Sequence, residues 1–463
     1  MPPPVQAAYK RVAQPQEGEN GYQACQTGKS EILPKGWNGF KAKPFESDIQ
    51  IDHDVEIVVR NGVRLYADVY RPANTTEKVP AVLSWSFYGK KYSALDMLPM
   101  TTWHCCVKPS ELSGLEKFEG LDPQAWCPQG YAIAIVRGPE SSGLEDFEEM
   151  YRRSPISSPF WEDKRVDISR VKCPVFIRGS DVSSIRGYLE VSHADKWIQR
   201  GSKQEWYELY SVPESTEELN LFFDRYLKGK DNGWEKTPKV RWSALQFGSR
   251  EAIDNIVLDN FPATTTEYRE LFFGENNQLH DIPASKSTTA RLIGLPKAVV
   301  YISCEDRDDF TVFVILRKKD KNGKDLMHLN FPIDATPVKS IEEIPEKDQA
   351  SLNLHLGSVG ILRASHREID GSKSIHSQFP FHPHKKEERI PKGTIVKLEI
   401  GIWAMGVEFD EGESISVRVG GQYPSIAEYK TWSKPRPEHG LNRGRHTVHF
   451  GKDYPSSVIL PFI

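Results

Sequence analysis

The chain of 463 residues holds no apolar run approaching the ~20 residues that cross a bilayer, so no membrane-spanning helix is expected. It also lacks an excess of charge. Its 60 Lys+Arg and 64 Asp+Glu leave a formal net charge of −4, with no long block of either sign. Nucleic acid and anionic membrane surfaces would therefore find nothing to attract them, and neither is expected as a partner. Cysteine is scarce. Cys25, Cys105, Cys106, Cys127, Cys173 and Cys304 are scattered, with neither metal-ligand spacing nor the density of a small disulfide scaffold. Cys105 and Cys106 are adjacent, which is awkward for two independent bridges. Reduced thiols are expected, and with them a cytoplasmic location. The opening Met1-Pro2-Pro3-Pro4-Val5 has no charged segment followed by an apolar one, so no secretory leader is expected.

What is present is the composition of a globular protein: 38% hydrophobic and 27% charged residues, with 17 Tyr, 21 Phe and 11 Trp. The length allows two or three cores. Residues 1–50 are polar and rich in Gly, Pro, Gln and Lys, and read as an extended arm without chemistry of its own. Asp54 to Arg60 and Val63 to Tyr70 alternate apolar and polar residues around Asn61-Gly62, the pairing signal of a tight hairpin. Pro80 to Trp85 and Tyr131 to Val136 are instead continuous apolar runs. They read as strands buried on both faces of a mostly parallel sheet. Pro174 to Gly179 is a shorter run of the same kind. Glu214 to Leu227 has acidic residues in its first turn, apolar residues on one face and Gly229 beyond its end, which predicts an amphipathic helix.

After residue 243 the texture changes. Val299–Ile302, Thr311–Leu316, Thr394–Ile400 and Ser414–Val419 are short β-rich segments separated by turn signals, with little helical periodicity. An antiparallel sandwich, of jelly-roll type, is expected over residues 244–463. Residues 51–243 then form an α/β domain. No internal repeat of solenoid period is present.

In this order the segments resemble the CocE/NonD hydrolases, which join cocaine-esterase-like acyl esterases to X-Pro dipeptidyl-peptidases. Four stretches carry the resemblance: the hairpin from Val58 to Pro72; Trp85-Ser86-Phe87-Tyr88-Gly89-Lys90, similar to the family's "PYGK" loop; Gly130-Tyr131-Ala132 leading to Arg137-Gly138; and Leu362-Arg363-Ala364-Ser365-His366-Arg367 with the closing Val458 to Pro461. Phe222 to Gly229 fits the helix before the domain junction. The resemblance implies an α/β-hydrolase domain followed by a galactose-binding-like jelly-roll sandwich. It also implies acyl transfer, in which a serine attacks a carbonyl, a histidine moves the proton and an acid orients the histidine. The implied substrate is a small ester or a short peptide. No cofactor and no metal are implied, and oligomeric state has no signature.

Role by role, little of that machinery carries over. Tyr88 falls on the tyrosine that helps hold the oxyanion in the family. The family's acid ends a Gly-x-x-Asp. Here Asp181 sits one place early in Gly179-Ser180-Asp181, and is either that acid on a shifted loop or an ordinary loop aspartate. The family histidine belongs to a "GPWTH"-like loop, where this chain has Gly201-Ser202-Lys203-Gln204-Glu205-Trp206 and no histidine. His193, nearest in sequence, reads as a surface residue in a helical segment. No G-x-S-x-G occurs anywhere in the sequence, so no nucleophile is assigned. Ser141 and Ser142 belong to the loop after the strand that precedes the nucleophile, and they are not catalytic in the family.

The remaining constellations are weaker. His366, His376, His382 and His384 match no compact ligand motif. Cys304 to Asp309 lacks the glycine and periodicity of a calcium loop. Two joins look like excisions, near Gly143-Leu144 and over Ser287 to Gly294. Skipped exons, an error in the gene model and a true deletion would all produce them. At the first join the resemblance places the nucleophile strand, its helix and most of the cap. Loss of a central strand predicts an α/β sheet with a gap or with new pairings, and low stability. Three functional readings stand: an active hydrolase of esters or X-Pro peptides; a family member that no longer hydrolyses, which the missing serine motif and histidine favour; and a non-catalytic binding protein whose sandwich recognises carbohydrate or protein.

Overall fold

The computed structural model describes residues 7–11, 13, 16–17, 24–39, 42–59, 62, 64–85, 90, 93–117, 120–137, 143–179, 182–280, 290–352, 354–429 and 440–463. The N-terminal region begins with a five-stranded sheet of β1 (Ser30–Leu33), β2 (Ile49–Val58), β3 (Arg64–Pro72), β4 (Ala81–Ser84) and β5 (Ala132–Arg137), in the order β1-β2-β3-β5-β4. β2 and β3 form the expected antiparallel hairpin, closed by the Val58–Arg64 pair. Gly62 supplies the positive φ of the connection at +82°. A bulge between Asp52 and Val55 places Asp54 at φ +49°. β5 lies between β3 and β4, with Ala132, Ile133, Ile135 and Val136 buried, as its unbroken apolar run requires.

β4 departs from its sequence reading. It pairs in parallel with β5 alone and ends the sheet. Leu83 is 51% exposed, and Trp85 just beyond it 67%. A second sheet contains β6 (Val175–Arg178), β7 (Lys196–Gln199), β8 (Val240–Ala244) and β9 (Ile253–Leu258), in the order β9-β8-β7-β6. β6, β7 and β8 run parallel, and β9 returns antiparallel to β8. β6 likewise ends its sheet. Among the described residues, the parallel strands therefore fall into two sheets, and β4 and β6 each keep one edge unpaired. That is the interrupted sheet expected from the first join.

Among the helices that accompany these strands are α1 (Phe147–Arg153), α2 (Pro159–Asp163), α3 (Val182–Glu190), α4 (Glu205–Ser211) and α5 (Pro213–Leu227). α5 is the amphipathic helix read from the sequence. Pro213 occupies its first turn and Gly229 adopts φ +67° after its end. It packs on both sheets at once. Phe223 meets Trp126 and Tyr131 beside β5, at ring-centroid distances of 5.6 and 6.3 Å. Its neighbour Phe222 meets Phe176 of β6 at 5.8 Å and Trp197 of β7 at 6.3 Å. Tyr131 Oη donates to Asp224 at 2.6 Å, and Lys228 and Lys230 close on the same carboxylate. Burial alone would raise the Asp224 pKa, but the hydrogen bonds from Lys228, Tyr131 and Lys230 outweigh it and bring it to about 2. One helix thus joins two sheets that share no strand.

The C-terminal region is a sandwich of two antiparallel sheets. In one, Lys297–Cys304 pairs with Val396–Gly401, His446–His449 and Ser457–Phe462. In the other, Thr311–Lys319 lies between Ser358–Arg363 and Ser414–Gly420. Alternate residues Val312, Val314 and Leu316 enter a core with Val300, Ile302, Leu398, Ile400 and Val458, all buried. Gly357 (φ +148°) is fixed by this packing, because a Cβ there would stand 1.9 Å from the Leu316 carbonyl oxygen. Among the described residues no helix is long and apolar enough to cross a membrane. Cys105, Cys106, Cys127, Cys173 and Cys304 are free thiols.

Candidate functional site

In an α/β sheet a site forms beyond the carboxyl ends of the parallel strands, here β4 and β5 in one sheet and β6, β7 and β8 in the other. Tyr88, after β4, lies outside the described residues, as do Asp181, after β6, and Ser141 and Ser142, after β5. The chain next to Tyr88 is anchored by a group the sequence did not reveal. Lys90 is buried to 2% exposure, with its Nζ 2.7 Å from Asp54 and in contact with Asp68. Asp68 Oδ1 also accepts from the Asp54 backbone N–H at 3.0 Å, and Asp54 Oδ2 from that of Gln26 at 2.6 Å. A buried cation is tolerated when carboxylates answer it. Asp54 sits at the hairpin bulge, so the irregularity in β2 aims a carboxylate at the start of the loop region. In the sequence both aspartates stand where the alternation already places polar residues, so no local signal marked the trio.

Beyond β6 and β7 opens a cleft of about 560 Å³, lined by Phe176, Arg178, Gly179, Gly201, Lys203, Glu205, Trp206, Glu208, Leu209 and Leu219. Arg178 donates to Ser215 Oγ at 3.0 Å and to Glu208 Oε2 at 3.3 Å, so α4 and α5 are tied to the end of β6. Burial raises the Glu208 pKa, and the Arg178 charge opposes that rise. Two cations and two carboxylates leave the lining balanced. None of these described lining residues is a serine, cysteine or histidine, so the cleft offers neither a nucleophile nor an imidazole base.

Just before the stretch matching the family's histidine loop is Arg200, whose guanidinium is buried and donates to the Ser243 carbonyl at 3.3 Å. Burial lowers its pKa to about 10. His193 is half-buried in the turn after α3 rather than in a helix, and its Nδ1 accepts from the Asp195 backbone N–H at 3.0 Å. The histidine that meets this stretch in space is His328, from the sandwich, with Nε2 3.3 Å from the Ser202 carbonyl. Burial pushes its pKa down to about 4, so it is a neutral donor that fixes a loop. A serine–imidazole hydrogen bond does exist, between Ser303 Oγ and His449 Nε2 at 2.9 Å, but it bridges paired strands of the sandwich. Among the described residues no group of three His, Cys, Asp or Glu side chains is placed to hold a metal.

With that geometry in hand, comparison with known proteins is informative. Residues 61–143 match the model of the X-Pro dipeptidyl-peptidase (S15 family). Residues 232–291 and 283–459 match that of the X-Pro dipeptidyl-peptidase C-terminal non-catalytic domain. The first match stops at Gly143, at the first join read from the sequence, and the second is divided over residues 283–291, which overlap the second join at Ser287 to Gly294. No curated protein matches the chain in sequence. Among solved structures, a CocE/NonD family hydrolase from Staphylococcus aureus is similar at 20% identity and a TM-score of 0.73, covering 90% of this chain and 94% of its own. An α-amino acid ester hydrolase aligns at 11% identity and a TM-score of 0.54, over 89% of this chain and 96% of its own. An aminopeptidase from the marine sediment archaeon Thaumarchaeota archaeon does so at 12% and 0.51, with the same coverage. At these identities the structural likeness speaks for the fold.

Proposed function

The chain belongs to the CocE/NonD X-Pro dipeptidyl-peptidase family of hydrolases, and from that premise we propose that it is a member that has kept the scaffold and lost the acyl-transfer reaction. The observation that carries this reading is the cleft beyond β6 and β7. Its described lining holds no nucleophile and no imidazole, in a chain that has no G-x-S-x-G. Acyl-enzyme chemistry needs an attacking oxygen or sulfur with a base in hydrogen-bond reach, and removing the nucleophile costs several orders of magnitude in rate. Two further facts support it. The S15 match ends at the join where the resemblance puts the nucleophile strand, and among the described residues β4 and β6 each retain an unpaired edge.

The test is a fluorophosphonate serine probe on the purified full chain, paired with hydrolysis of p-nitrophenyl butyrate and of an X-Pro p-nitroanilide. No specific labelling and no hydrolysis above buffer are expected. Labelling that disappears on a single Ser→Ala change, together with turnover of either substrate, would overturn the reading.

A further inference from the structure

A second and larger cleft, of about 980 Å³, lies where the α1–α2 segment and α3 meet the sandwich. Its walls come from distant parts of the chain: Trp161 from α2, Arg186 from α3, Ile361 from a sandwich strand, and Phe379 and Phe381 from the loop before Val396–Gly401. The Ser157 backbone N–H donates to the His384 carbonyl at 2.7 Å and the Trp161 Nε1–H to the Ser154 carbonyl at 2.7 Å, so the walls are held.

Its electrostatics are one-sided although the chain as a whole carries −4. Arg165, Arg186 and Lys373 place their cationic groups 6.0, 5.3 and 5.7 Å from the centre of the Phe381 ring. Arg186 is answered by Glu190 at 2.7 Å. Another lining cation, Arg363, is answered by Asp309 at 2.7 Å and Glu387 at 2.9 Å. Among the described residues Arg165 and Lys373 form no ion pair, and Glu162 is the one carboxylate of the described lining. Like charges gathered round one ring repel each other, and only part of that is offset by the ring's own attraction for cations. The volume is at the upper end for a site that encloses one small molecule.

We propose that this cleft binds a small amphiphilic organic anion. Its carboxylate is drawn to Arg165 and Lys373 around the Phe381 ring, and its apolar body lies along Trp161, Ile361 and Phe379. The site goes beyond the loss of hydrolysis and does not depend on it, since its readout is binding.

The experiment is calorimetric titration of the full chain with decanoate at low salt, with decan-1-ol and acetate as the apolar and the charged half of the probe. Saturable binding of decanoate is expected, at least about tenfold tighter than either half-probe, and weakened as salt rises. The double variant R165Q/K373Q, two exposed side chains, should weaken decanoate about tenfold and leave decan-1-ol unchanged. I361E, which sets a carboxylate on the apolar wall at an exposed position, should abolish binding. Absence of saturable decanoate binding, equal affinity for decan-1-ol, or unchanged affinity in R165Q/K373Q would overturn the proposal.

Discussion

The edge strands of the two regions tell opposite stories. In the sandwich, Ser414–Gly420 ends its sheet and is written as an edge. Ile415, Val417 and Val419 alternate with Ser416 and Arg418, and Arg418 reaches Glu428 and Asp325. In the N-terminal region β4 also ends a sheet, yet its Ala81-Val82-Leu83-Ser84 is written as an interior strand, without charge and with Leu83 facing outward. Edges without charge, bulge or cover invite pairing with other chains. Local sequence and tertiary position agree in one region and conflict in the other. What replaces strand pairing there is α5, with Phe222 on one sheet and Phe223 on the other.

This contrast can be broken at its strongest point by Lys90→Met. Removing the cation strands Asp54 and Asp68 together in the interior, a loss of about 3–5 kcal/mol. In a calorimetric scan of the full chain the N-terminal region should melt as a separate, lower transition, and the variant should move that transition alone. A single transition that shifts as a whole would show the two regions to be one cooperative unit.

A subtler probe is pH. Burial, and next the charge of Asp122, raise the pKa of Glu116 above its ordinary 4.5. Burial raises that of Asp122 too, although the Ser113 hydroxyl donates to it at 2.6 Å. A carboxyl that holds its proton more tightly when folded contributes stability below its ordinary pKa and loses it as pH climbs toward the folded value. The lower transition should therefore fall as pH rises from 4.5 toward neutral, with the sandwich transition changing less. Glu116→Gln should flatten the part of that slope due to Glu116. A wild-type profile with no slope, or a variant as steep as the wild type, would remove Glu116 from the account.

The smallest effect on stability, within about 0.5 kcal/mol, is expected for Leu83→Lys on the exposed side of β4. Its effect on association should be plain: a charge on the open edge lowers light scattering during heating. Unchanged scattering would mean that β4 is not the surface through which the chains associate.

Much of the architecture was legible because its signals are local. The Asn61-Gly62 hairpin, the apolar run of β5 and the 3.6-residue periodicity of α5 each depend on neighbours within a dozen positions. The strand character of β4 was legible on the same grounds, but not its place at the edge, since an apolar tetrapeptide carries no record of how many partners it has. Of the site, the missing serine motif and the missing histidine were readable as absences. His193 was misplaced by a few residues, as helix ends often are. The group that does meet the histidine-loop stretch, His328, comes from more than 120 positions away in the chain.

Sequence by itself thus determined the family, the hairpin of β2 and β3, the strand character of β4, β5 and β6, the helix α5 and the lack of an attacking hydroxyl in a G-x-S-x-G, but not the strand β1 within residues 1–50. Tertiary structure alone decided that Asp54, Asp68 and Lys90 close into one buried trio, that α5 spans two sheets, and that Arg165, Arg186 and Lys373 gather around Phe381. The physical reason is range. Hydrogen-bonded turns and apolar periodicity are set between near neighbours, whereas charge clusters and shared packing faces arise only when distant segments are brought together.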